Sequence, residues 1–200
     1  MTTFDNVRVH TENVVNIPKY TTSYENIGIR DPFILEENGT YYLYGTVNFG
    51  RFEVYTSSDL YMWTRENPCF VGYGDFFGNA CVFSDAEGKE ESFWAPEVYE
   101  REGKFYMFFS ANWKVNPTEE LENFLIGVAV SDSPTGPFKE VSDAPLFNPG
   151  YPIIDANVFF DDDGRCYLYY SRCCYKHPVE SEVAQWAREK GMYEEIEESW

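Results

Sequence analysis

Arg30-Asp31-Pro32-Phe33-Ile34, a turn at Gly39, then Tyr41-Tyr42-Leu43-Tyr44: this unit decides the fold, because the chain writes it three times. The second copy is Trp94-Ala95-Pro96-Glu97-Val98, with Gly103 and then Phe105-Tyr106-Met107-Phe108. The third is Ile154-Asp155-Ala156-Asn157-Val158, with Gly164 and then Cys166-Tyr167-Leu168-Tyr169. In each copy, strand-forming residues flank a turn, which is the pattern of a hairpin. The turn glycines lie 64 and then 61 residues apart. A hairpin repeated at a long, nearly constant period is the signature of a propeller, in which each period builds one blade. The expected fold class is all-β.

Working outward, Ile29 to Glu36 and Thr40 to Val47 read as strands paired around Glu37-Asn38-Gly39, with Phe52 to Ser57 as a third strand. The first blade is expected over about 29–75, the second over about 79–148, and the third begins within about 152–175. The third strand of the second blade is expected at Leu125 to Val130. A Ser-Asp pair follows the third strand both times, at Ser58-Asp59 and Ser131-Asp132, which supports the repeat independently. Residues 1–28 either lead into the ring or supply a closing strand. In the tail, 176–200, Ser181 to Lys190 reads as a short helix with Ser181 as N-cap and Gly191 as its stop. Three blades leave sheet edges unpaired. The chain is therefore expected to be one partial propeller domain, the N-terminal part of a longer protein.

Composition narrows the function classes. Net charge is −19 and the isoelectric point is near 4.3. Phosphate binding needs clustered Lys and Arg, so nucleic acid is an unsuitable partner, and an anionic membrane surface is disfavoured for the same reason. A neutral substrate is compatible. Aromatic residues make up 19% of the chain. Most of these rings are expected in the core, and the remainder can stack on the C–H face of a sugar. None of the five cysteines has zinc-site spacing. Met1 to Tyr20 shows no apolar secretory core, and no stretch approaches transmembrane length. The expectation is a cytoplasmic protein with free thiols.

With one extra residue allowed in the third turn, Asp31, Ala95 and Asp155 align. Two carboxylates held at one level on different blades can converge at the centre of the disc, and a carboxylate pair is what glycoside hydrolysis uses. Asp31 reads either as a turn aspartate or as a general base kept ionised by a nearby cation such as Arg30. Asp155, at the equivalent position, reads likewise as a turn aspartate, or as an acid that raises the pKa of a neighbour or orients it. Trp94, next to the aligned position, lines a sugar pocket or packs in the core. Strand alternation puts Glu97 on the face of Ala95, where it reads as a structural hydrogen-bonding acid or as a catalytic one. Asp161-Asp162-Asp163-Gly164 lacks the acid spacing of a calcium loop and reads as a hairpin turn. His10 and His177 are isolated, and neither a phosphate-binding glycine loop nor a nucleophile elbow is present.

Arg30-Asp31-Pro32-Phe33, then Phe93-Trp94-Ala95-Pro96-Glu97, then Ile154-Asp155-Ala156-Asn157-Val158-Phe159-Phe160 with Asp162-Asp163-Gly164, resemble glycoside hydrolase family 43 in kind, order and spacing. The resemblance covers about residues 26–172. It implies a five-bladed β-propeller, of which about three blades fall in this chain. It implies an inverting hydrolase of α-L-arabinofuranosyl or β-D-xylosyl linkages, with an arabinose- or xylose-containing oligosaccharide as partner. Asp31 would be the general base, Asp155 the pKa-tuning acid, and Trp94 part of the sugar subsite. Arg30 and Phe49 join Trp94 as candidate substrate-binding residues. The family's general acid is a glutamate of the next blade, expected beyond residue 200, so the chain alone is expected to be inactive. No cofactor is required. Many members hold a central calcium ion, but the histidine expected beside it lies downstream, and this segment offers no support for a metal. Two other readings stay open: a fructan- or sucrose-cleaving propeller hydrolase, and a non-catalytic carbohydrate-binding propeller.

Overall fold

The computed structural model describes residues 17–47, 51–71, 93–112, 124–142, 144–172, 186 and 188–192. Phe49, His10, His177, Cys81, Cys173, Cys174 and Ser181 lie outside the described residues. Twelve strands are described: β1 (Thr21–Ser23), β2 (Arg30–Glu37), β3 (Thr40–Thr46), β4 (Arg51–Ser57), β5 (Met62–Arg65), β6 (Phe70–Val71), β7 (Phe93–Arg101), β8 (Lys104–Asn112), β9 (Phe124–Ser131), β10 (Lys139–Glu140), β11 (Ile153–Phe160) and β12 (Cys166–Arg172). They form three antiparallel sheets, ordered β1-β5-β4-β3-β2 with β6 on β4, then β10-β9-β8-β7, then β11-β12.

Each sheet is built from one of the repeated hairpins. Asn38 and Gly39 both take positive φ, as do Glu102 and Gly103. Two consecutive left-handed residues make the tight turn whose twist matches paired strands. The third turn is longer by one residue: Asp161 donates its amide to the Arg165 carbonyl at 2.8 Å, and three residues lie between them. Asp163 accepts from the Arg165 amide at 3.0 Å, so this acidic stretch spends its polar groups on closing a turn. The first strand segment answers the question left by the N-terminus. Thr21–Ser23 pairs with Met62–Thr64 as an outer strand of the first sheet.

The Ser-Asp pairs close the third strands by a common device. The Ser57 hydroxyl accepts the amides of Asp59 and Leu60, and the Ser131 hydroxyl accepts that of Ser133. Asp59 also accepts the amides of Tyr61 and Met62, which hold its carboxyl below the usual range. In the tail, Trp186 and residues 188–190 are helical, with Gly191 after them at φ 70°.

Aromatic rings join the sheets. Between the first and second, Phe52 packs edge-on to Phe93 at 4.5 Å, and Phe70 lies 5.0 Å from Phe109, all four buried. Gly127 makes this possible: a Cβ there would sit 2.4 Å from the Phe109 ring. Between the second and third, Leu125, Ile126, Ile153 and Ala156 form a second buried cluster. A third, Leu43, Tyr55 and Trp63, packs on the face of the first sheet opposite Tyr44 and Val54. The sheets are thereby fixed face to face in chain order, with β2, β7 and β11 each on an edge of its sheet.

Candidate active site

The aligned residues share one backbone conformation. Asp31, Ala95 and Asp155 have φ of 50°, 49° and 57°. Left-handed backbone costs a residue with a Cβ roughly 1–2 kcal/mol, and such strain gathers at functional sites. The cause is a bulge repeated in every sheet. Arg30 pairs with Thr46 and Phe33 with Tyr44, so Asp31-Pro32 face the single residue Gly45. Trp94 pairs with Ser110 and Glu97 with Phe108; Ile154 pairs with Ser171 and Asn157 with Tyr169. Two residues opposing one bend the strand and re-aim its side chains.

The bulge corrects one sequence expectation. Alternation placed Glu97 with Ala95, but the extra residue resets the count. Trp94 and Glu97 pair with Ser110 and Phe108, two apart on β8, so these two share a face. Glu97 accepts from Tyr99 and, at 3.0 Å, from Asn157 Nδ2 of the third sheet. The Tyr99 oxygen also takes the Val158 amide at 2.9 Å. Glu97 is thus the hydrogen-bonding acid expected, and it ties the second sheet to the third.

The two acids interact. Asp155 is exposed, yet the protein around it removes enough water to push its carboxyl above the ordinary range, and the charge of Asp31 adds to that rise. Asp31, also exposed, accepts the Thr46 hydroxyl at 2.6 Å. Arg30 lies beside it, opposite Thr46 in the ladder. Trp94 is half-buried, edge-on to Phe124 at 4.7 Å. Among the described residues, no three His, Cys, Asp or Glu side chains converge to hold a metal ion.

Sequence reading missed Thr46 and Ser110. Thr46 Oγ1 accepts the Ala95 amide at 2.8 Å, and Ser110 Oγ accepts the Asp155 amide at 3.0 Å. Each thus receives the bulge residue of the next sheet. The signal was present: Thr46, Ser110 and Ser171 each stand seven residues after their hairpin glycine.

Known proteins resemble this chain in sequence and fold. Residues 26–193 match the family model for glycosyl hydrolases family 43. Xylosidase/arabinosidase 43A of Humicola insolens is 30% identical over 152 residues, covering 72% of this chain and 44% of that protein. The structure of a thermostable family-43 glycoside hydrolase aligns with TM-score 0.57 and 36% identity, over 72% of this chain and 41% of that one. Endo-arabinase from Bacteroides thetaiotaomicron aligns with TM-score 0.60 and 31% identity, over 75% and 47%. The chain spans less than half the length of each of these relatives. A match running through all three bulged hairpins accounts for the repeat, and the chain belongs to glycosyl hydrolases family 43, its three sheets being blades of that family's five-bladed β-propeller.

Proposed function

We propose that the full-length protein carrying this chain hydrolyses α-L-arabinofuranosyl or β-D-xylosyl linkages with inversion, and that this chain supplies two of its carboxylates. Asp31 is the general base: its carboxylate takes a proton from a water, which attacks the anomeric carbon as the glycosidic bond breaks. The departing oxygen takes its proton from a general acid, a glutamate beyond residue 200. Asp155 sets the charge and orientation around that pair, and Trp94, Arg30 and Phe49 contribute to the sugar subsite. The supporting observation is the matched left-handed bulge that carries both acids at one level, with the charge of Asp31 felt at Asp155. In inverting enzymes the base and the general acid stand roughly 6.5–9.5 Å apart to leave room for the water, and that is the distance expected between Asp31 and the glutamate. Relatives named for xylosides and arabinans support the substrate class.

The test is the anomeric configuration of the first-formed sugar, followed by proton NMR with the full-length protein on aryl arabinofuranosides and xylosides. Inversion is expected. Retention would transfer the chain to a double-displacement mechanism, and binding without turnover would make it a carbohydrate-binding propeller. Residues 1–200 alone are expected to show no turnover.

A further inference from the structure

We propose that the hydroxyls of Thr46 and Ser110 are positioning groups for the two central acids, Thr46 acting on Asp31 within its own blade while held by the next, and Ser110 acting on Asp155 from the blade before it. The proposal rests on the reading of Asp31 and Asp155 as the working carboxylates.

Thr46 ends β3 of the first blade and is 2% exposed. Its oxygen accepts the Ala95 amide of the second blade at 2.8 Å, and its proton goes to Asp31 Oδ2 at 2.6 Å. The direction of both bonds is forced. A backbone amide only donates and an ionised carboxylate only accepts, so a hydroxyl between them uses its lone pair on one side and its single proton on the other. A valine would fill the same space and make neither bond. The Asp31 carboxylate is therefore aimed by a group that is itself held by the next blade.

Ser110 repeats the amide-accepting half of the device one blade on, where Ala95 leaves no carboxylate to aim. It stands two residues before the end of β8, is fully buried, and accepts the Asp155 amide at 3.0 Å. In both blades the hydroxyl belongs to the residue paired with the one just before the bulge, Arg30 for Thr46 and Trp94 for Ser110. These bonds reach the left-handed residue itself, where a small rotation of the backbone swings the side chain that follows. Misplacing a reacting group by about 1 Å can cost ~10²-fold in rate.

The experiment uses the full-length protein with the aryl glycoside it turns over fastest, and compares Thr46→Val, Thr46→Ser, Ser110→Ala and Asp31→Asn. Removing the base in Asp31→Asn should lower kcat by ~10²–10⁴-fold. Thr46→Val should lower kcat by ~10–100-fold, the range of a slight misplacement, with KM little changed. Thr46→Ser, which keeps the hydroxyl, should recover most of that loss. Ser110→Ala removes one acceptor without adding bulk, and should also lower kcat with KM little changed. This second site keeps the idea testable if Thr46→Val does not fold. Wild-type kcat in both Thr46→Val and Ser110→Ala, with Asp31→Asn inactive, would overturn the positioning role and leave the base assignment standing. Equal losses in Thr46→Val and Thr46→Ser would also overturn it, because the hydroxyl would not be the cause. Full activity in Asp31→Asn would instead remove the underlying reading of the site.

Discussion

Gly45→Ala tests whether the bulge at Asp31 depends on a missing side chain opposite it. Gly45 is the single residue that faces Asp31-Pro32 across the β2–β3 ladder. A Cβ built there would lie 2.7 Å from Ile29 Cδ1 and 2.8 Å from the Arg30 carbonyl oxygen. Carbon atoms prefer roughly 3.5–4.0 Å, so the overlap is well over half an ångström. The end of Ile29 can turn away. The Arg30 carbonyl cannot move without moving the strand that carries Asp31. Overpacking of this kind costs about 1–3 kcal/mol. Gly45 is not in the left-handed region, so the substitution also restricts the unfolded chain, a gain of about 0.4–1 kcal/mol. The net expectation is a loss of roughly 1–2 kcal/mol, which lowers Tm of the full-length protein by about 1–3 °C for a five-bladed domain of roughly 300 residues. Thermal denaturation followed by near-UV circular dichroism reads it, with Gly28→Ala as control. A Cβ at Gly28 meets nothing within 4 Å and that φ is ordinary, so the control should be neutral or slightly stabilising. Gly45→Ala as benign as Gly28→Ala would refute the claim that the bulge requires this gap.

Asp155→Asn should raise Tm at neutral pH. The native pKa of Asp155 lies above its unfolded value, so the native state binds more protons and stability falls as pH rises through the window above about 4. The amide removes that slope, and a Tm lower than wild type at pH 7 would contradict the reasoning. Tyr99→Phe strips the partner from the Val158 amide and one of two donors from Glu97, and should cost about 1–3 kcal/mol in a urea titration; an unchanged midpoint would show the network is replaceable by water. In an experimental structure of the full-length protein, Ser171 Oγ should accept the amide of a left-handed residue in the following blade, as Thr46 and Ser110 do. A different partner there would end the repeat at two blades.

The hairpins were legible because turn chemistry is local: an Asn-Gly or Glu-Gly pair between aromatic runs dictates its own geometry. The level of Asp31, Ala95 and Asp155 was legible because repetition makes alignment a substitute for coordinates. The bulge was not. Nothing in Ala95-Pro96 announces a left-handed residue, and alternation therefore carried Glu97 to the wrong face. The strand at Thr21–Ser23 could not be placed because its partner, Met62–Thr64, is an outer strand about 40 residues away in sequence, and edge pairing leaves a weak apolar pattern. Thr46 and Ser110 looked like ordinary strand hydroxyls; their meaning comes from which amide of the next blade they meet.

The central claim is that Asp31 is the base of a hydrolytic site held by these bulges. The most direct test is kcat/KM of the full-length protein and its Asp31→Asn variant on an aryl arabinofuranoside or xyloside, with matched Tm values to show intact folding. The expected result is a fall of ~10²–10⁴-fold at unchanged Tm. A variant that keeps wild-type turnover would contradict it.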